Sequence, residues 1–264
     1  MPLYNKVGVV AALVALALFA SFALTWPTRD VVLGGRSIAL SGRILLGLLA
    51  VGLAGAGADA IVRSNPRLKP RPLRRAFLRC ILPTAFTAAT WMLLSRLTNL
   101  EYHVMGIAAS AGALAVLIAA EYSLAGPGTR WRGALGILWQ FATYAVAALL
   151  YAAVYPASLA VTVARAGAVV SAVMALRLLG EEKLSLARIL GGSASTGLLL
   201  GVISWLLHPR SADAVSYSLT LVVYLYVVVG LIRHALRGKV SREVALEYLF
   251  VGLAALALLF FAFR

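Results

Sequence analysis

Apolar and polar positions divide the chain into nine long hydrocarbon-like runs separated by short polar connections. A helix needs about 20 largely apolar residues to cross the roughly 30 Å core of a bilayer. Runs of that length, bounded by charge, proline or glycine, cover 7–26, 38–62, 81–97, 103–120, 134–154, 157–179, 189–207, 214–232 and 244–262. The pattern predicts an all-α, polytopic transmembrane bundle of about nine spans forming a single domain over residues 1–264. The first run is longer than the apolar core of a cleavable signal, so it reads as a retained span.

Charge adds direction. With the N-terminus inside, 17 of the 24 basic residues fall in connections on the inner side and 7 on the outer side. That asymmetry is the positive-inside pattern. It predicts a cytoplasmic N-terminus and an outer C-terminus. The stretch "VRSNPRLKPRPLRRAFLRC", residues 62–80, alone holds seven of the basic residues and no acid. Its three prolines favour extended backbone, so the loop is expected to lie along the cytoplasmic surface. Orientation alone would select such residues. Arg67, Lys69, Arg71, Arg74 and Arg75 would also suit anionic lipids at that face, or a membrane protein partner.

Composition agrees with this picture. Hydrophobic residues make up 62% of the chain and charged residues 12%, far below the share of roughly 25% usual in globular domains. A net charge of +15 would suggest nucleic acid in a soluble protein, but cations placed between apolar runs are explained by membrane orientation. The single cysteine, Cys80, rules out an intramolecular disulfide and reads as structural. Arginine outnumbers lysine 20 to 4, and alanine and leucine abound, pointing to a GC-rich bacterial genome and the inner membrane.

The search for chemistry yields near-misses only. There is no phosphate-binding GxxxxGK[ST] loop and no HExxH pair. "GAGAD" at 55–59 is one residue longer than the GxGD of intramembrane aspartyl proteases, and no second span carries an interior aspartate. "GGSA" at 191–194 offers Ser193, with His234 on the same side, but that histidine sits in a basic helix end. "EEKLSLAR" at 181–188 resembles the paired glutamates and arginine of membrane CAAX-type proteases, but its arginine falls too late and no downstream histidine motif follows. The expectation is a protein without catalytic residues, metal or cofactor.

Glycines in the second, fourth and seventh runs, Gly197-xxx-Gly201 among them, read as faces where helix backbones approach closely. Asp59 and Arg63, spaced i,i+4, predict a salt bridge at a helix end. Glu247 is placed in the first turn of the last helix, and Glu101-Tyr102 and Glu121-Tyr122 read as anchors at the headgroup level. Arg165 is the most conspicuous intramembrane charge, about 12 Å past the start of its run at Ala157. Snorkelling to the outer headgroups explains it on its own. Together with Arg43 and Arg96 at similar depth, it could instead form an outward-facing site for a phosphate or carboxylate, provided that the three face one vestibule.

The order "GADAIVRSNP" closing the second run, a basic loop, "ILP" opening the third, and "AEY" closing the fourth resembles a family of bacterial polytopic membrane proteins known as a domain of unknown function. That resemblance implies a membrane bundle and carries no residue roles. The sequence points first to a non-catalytic scaffold or partner subunit of a membrane assembly. A transporter or lipid-handling permease using the outer arginines is the second reading, and an intramembrane enzyme the third.

Overall fold

The computed structural model describes residues 3–24, 29–33, 36–66, 77–125, 132–156, 159–180, 185–207, 213–238 and 241–262. Nine helices among the described residues match the nine apolar runs one for one. They are α1 (Leu3–Ala23), α2 (Gly42–Arg63), α3 (Phe77–Leu94), α4 (Leu100–Ala125), α5 (Arg132–Val154), α6 (Ala160–Leu179), α7 (Leu186–Leu207), α8 (Ala214–Leu236) and α9 (Arg242–Ala262). Seven of them, α1, α2 and α4 to α8, contain stretches long and apolar enough to cross a membrane. In α3 the apolar stretch is shorter, Leu78–Leu94. The chain has the helix set of a multi-pass membrane protein.

The chain forms two compact units, Met1–Gly136 and Ile137–Arg264. In the first unit α1 packs on α2 and α4, α2 on α3, and α3 on α4. Its core joins Val14 and Leu18 of α1 to Ala50, Ala54 and Ala58 of α2 and to Leu114 and Ile118 of α4. The α2 contribution is a file of small residues one helical turn apart, which lets neighbouring backbones come close. Gly47 extends that file, and a methyl group there would run into the indole of Trp91 on α3.

Helix ends depart from expectation where polar side chains or strands intervene. The second run was expected to be helical from Ile38, but residues 36–40 form a strand, β2 (Arg36–Leu40). It pairs antiparallel with β1 (Arg29–Leu33), from Arg29 opposite Leu40 to Leu33 opposite Arg36. The helix starts only where Ser41 accepts a hydrogen bond from the Ile44 N–H at 3.3 Å, satisfying one of the donors left open at a helix N-terminus. The third helix begins at Phe77, one turn before the expected Ile81, so Pro83 lies inside it. A proline lacks the N–H of the normal helical bond. Around it, Thr84 Oγ1 donates to the Cys80 carbonyl at 2.6 Å and Thr87 Oγ1 to the Pro83 carbonyl at 2.9 Å.

The second unit is built on α6 and α7, with α8 packed on both and α9 on α8. The Gly197-xxx-Gly201 face meets α6, as small-xxx-small spacing predicts. A Cβ on Gly197 would lie 2.7 Å from the Ala168 carbonyl oxygen, and one on Gly201 2.8 Å from the Ala168 methyl. Fully buried hydroxyls tie further helices to this pair. Tyr151 of α5 bonds Ser171 of α6 at 2.7 Å, while Tyr217 of α8 bonds Ser204 of α7 at 2.5 Å. Ser171 donates onward to the Gly167 carbonyl at 2.6 Å and Ser204 to the Val163 carbonyl at 3.3 Å. Each tyrosine–serine contact thus continues to a carbonyl of α6.

Candidate functional site at the basic end of the first unit

The C-terminal end of α2 carries an ion pair: Arg63 Nε donates to Asp59 Oδ2 at 2.7 Å, the i,i+4 bridge expected from the sequence. Ser64 closes the helix by donating to the Ile61 carbonyl at 2.8 Å. Next in the chain is Asn65, only 6% exposed, whose Nδ2 donates to the Tyr122 carbonyl of α4 at 3.0 Å. The residue before Tyr122, Glu121, is 2% exposed. It is therefore not a headgroup anchor, as the pattern suggested, but a carboxyl held inside the protein. Cys80, half-buried near the start of α3, lies within electrostatic reach of Asp59, Glu121, Arg63 and Arg79.

Three helices thus bring their polar residues to one end of the unit. Burial of a carboxyl and an amide is costly unless their hydrogen-bonding capacity is used and their geometry fixed. The cluster does this at the two roots of the basic loop. Asn65 stands just before it, and Arg79 and Cys80 just after it. The five loop cations Arg67, Lys69, Arg71, Arg74 and Arg75 lie outside the described residues. No three His, Cys, Asp or Glu side chains are placed to hold a metal ion among the described residues.

Arg43 and Arg96 belong to the first unit and Arg165 to the second. Arg43 Nη2 donates to the Ser95 carbonyl at 3.0 Å, and its guanidinium sits 4.8 Å from the centroid of Phe22. That interaction ties the start of α2 to the end of α3, a packing task. Arg96 is exposed in the turn after α3 and has an interaction of its own. Arg165 is exposed on α6, on a face shared with Val161 and Val169. Because α6 starts at Ala160, Arg165 lies about 8 Å into the helix, less than the 12 Å expected from a start at Ala157. Helical side chains lean towards the N-terminus, which brings its guanidinium shallower still.

The near-miss motifs resolve similarly. Asp59 is engaged by Arg63, and Ser193 Oγ donates to its own helix at the Ile189 carbonyl, 2.7 Å away. Glu181 and Glu182 lie outside the described residues. Glu247 falls in the second turn of α9, whose first-turn acid is Glu243, because the helix opens at Arg242.

Sequence reasoning missed a polar group in the second unit. Arg177, near the end of α6, is 5% exposed and lies 5.7 Å above the ring centroid of Trp139 on α5. Arg233 of α8 donates through Nη2 to the Leu178 carbonyl at 3.1 Å. In the sequence both belong to the excess of inner-side cations. What their positions in the sequence offered was a shared place in the last turn of two different helices.

The motifs that suggested a family now acquire a spatial meaning. "GADAIVRSNP" supplies Asp59, Arg63 and Asn65, "AEY" supplies Glu121 and Tyr122, and "ILP" directly follows Cys80. All three lie at the same polar cluster. No curated protein and no solved structure matches the chain. A family model described as "Protein of unknown function (DUF5656)" matches residues 25–262, nearly the whole chain, and the protein belongs to that family.

Proposed function

We propose that this protein is a non-catalytic scaffold or partner subunit in a bacterial inner membrane, presenting its basic loop to an anionic partner protein at the cytoplasmic face. The observation that carries this reading is the polar cluster at the loop's two roots, with Asn65 bonded to the Tyr122 carbonyl beside buried Glu121. Orientation of a membrane protein requires cations on the correct side and no defined geometry around them. A buried amide and carboxyl at the loop's base fix where its ends leave the bundle. Such rooting gives a docking loop a reproducible place, and lowers the ordering cost of binding.

The test is photo-crosslinking in native membranes from a reactive residue at Leu73. The wild-type chain should give one defined polypeptide adduct. A variant with Arg67, Lys69, Arg71, Arg74 and Arg75 all changed to glutamine should lose it while keeping its topology. An unchanged adduct in that variant, adducts with lipid alone, or an inverted topology would each contradict the proposal.

A further inference from the structure

At the ends of α6 and α8 in the second unit, a cluster distinct from the basic loop combines cations with an unsatisfied donor. Arg177 is the eighteenth of the 20 residues of α6, and Arg233 lies in the last turn of α8. Cations suit these positions because helix C-termini carry partial negative charge, and the Arg233 bond to the Leu178 carbonyl is such a contact. Capping does not account for Trp139. This residue is 4% exposed, its ring faces the Arg177 guanidinium, and its Nε1–H has no hydrogen-bond partner. A buried indole N–H ordinarily finds an acceptor. An acceptor of that N–H would sit at the edge of the ring whose face the Arg177 guanidinium covers.

The surroundings specify the acceptor further. Arg233 is within electrostatic reach of the Tyr144 and Tyr248 hydroxyls. The cluster therefore offers guanidinium, indole and phenol donors from α5, α6, α8 and α9, with the Glu247 carboxylate within electrostatic reach of Tyr248. Guanidinium has five N–H donors in a planar fork, enough to hold a helix carbonyl and an oxyanion together. Arg177 and Arg233 lie within a turn of the α6 and α8 ends, the depth at which lipid phosphates are found when the helices span a bilayer. We propose that Trp139, Arg177 and Arg233 form a phosphate-binding site, filled by the phosphodiester of a membrane lipid or by free phosphate.

The full chain in detergent micelles, examined by native mass spectrometry, tests this with three probes: phosphatidylglycerol, diacylglycerol and inorganic phosphate. Diacylglycerol has the acyl chains without the phosphate. The wild type should retain phosphatidylglycerol and not diacylglycerol. Trp139→Phe keeps the ring and removes the N–H, and should weaken retention by about fivefold; Arg233→Gln should weaken it by about tenfold. Arg188→Gln, an exposed cation at the start of α7, should change nothing. Displacement of the lipid by inorganic phosphate would support the site with a soluble source; failure to displace it would support a lipid source. Equal retention of diacylglycerol, or wild-type retention by Trp139→Phe, would overturn the proposal. The substitutions that decide the outcome leave the basic loop intact, so the comparison among them is independent of the scaffold reading.

Discussion

Single side chains show how a mostly hydrocarbon protein uses its few polar groups. Asn65 spends its amide on a carbonyl 57 residues away in sequence, so Asn65→Ala leaves the Tyr122 oxygen without that donor. Unfolding in micelles should show a loss of about 1–3 kcal/mol, the cost of a buried unsatisfied group. A loss below a few tenths would show that the bond contributes no stability. Tyr217→Phe removes the hydroxyl bonded to Ser204, and should cost about 0.6–2 kcal/mol in the same assay, the range for interhelical hydrogen bonds in membranes. Legibility at this scale followed separation along the chain. The Asp59–Arg63 pair could be read from its i,i+4 spacing, because one helix fixes both residues. The Asn65–Tyr122 and Trp139–Arg177 contacts join different helices, and no periodicity records them.

Elements were more legible than their ends. Apolar length identified every helix, because crossing a hydrocarbon layer demands long apolar runs. It could not find the start of α2, where residues 38–40 are apolar yet belong to a strand and Ser41 provides the cap. Packing faces were partly legible: Gly197 and Gly201 do abut α6, whereas Gly52 and Gly112 have nothing within 4 Å. This contrast makes a prediction within one helix. Gly197→Leu and Gly201→Leu should each destabilise the second unit by about 1–3 kcal/mol or more through overpacking against Ala168. Gly191→Leu, at an open position on the same helix, should be close to neutral. Equal thermal stability of all three variants in micelles would remove the α6–α7 contact as a determinant of the fold. Ser41→Ala should cost about 1 kcal/mol, as loss of an N-cap does, read as a lower unfolding midpoint.

For the whole molecule, hydropathy foresaw the helix set, but apolar runs do not reveal which neighbours they pack against. Arg43 and Arg96 fall in one unit and Arg165 in the other. The cluster of family motifs around the basic loop became visible only when α2, α3 and α4 were brought together. Its proposed role requires the loop to face the cytoplasm. That is measured most directly with a membrane-impermeant thiol reagent on cells expressing Arg71→Cys or Arg210→Cys in a Cys80→Ser background. The account predicts labelling of Arg71→Cys only after the cells are permeabilised, and of Arg210→Cys whenever the outer face of the inner membrane is accessible. Labelling of Arg71→Cys from outside, with Arg210→Cys protected, would contradict it.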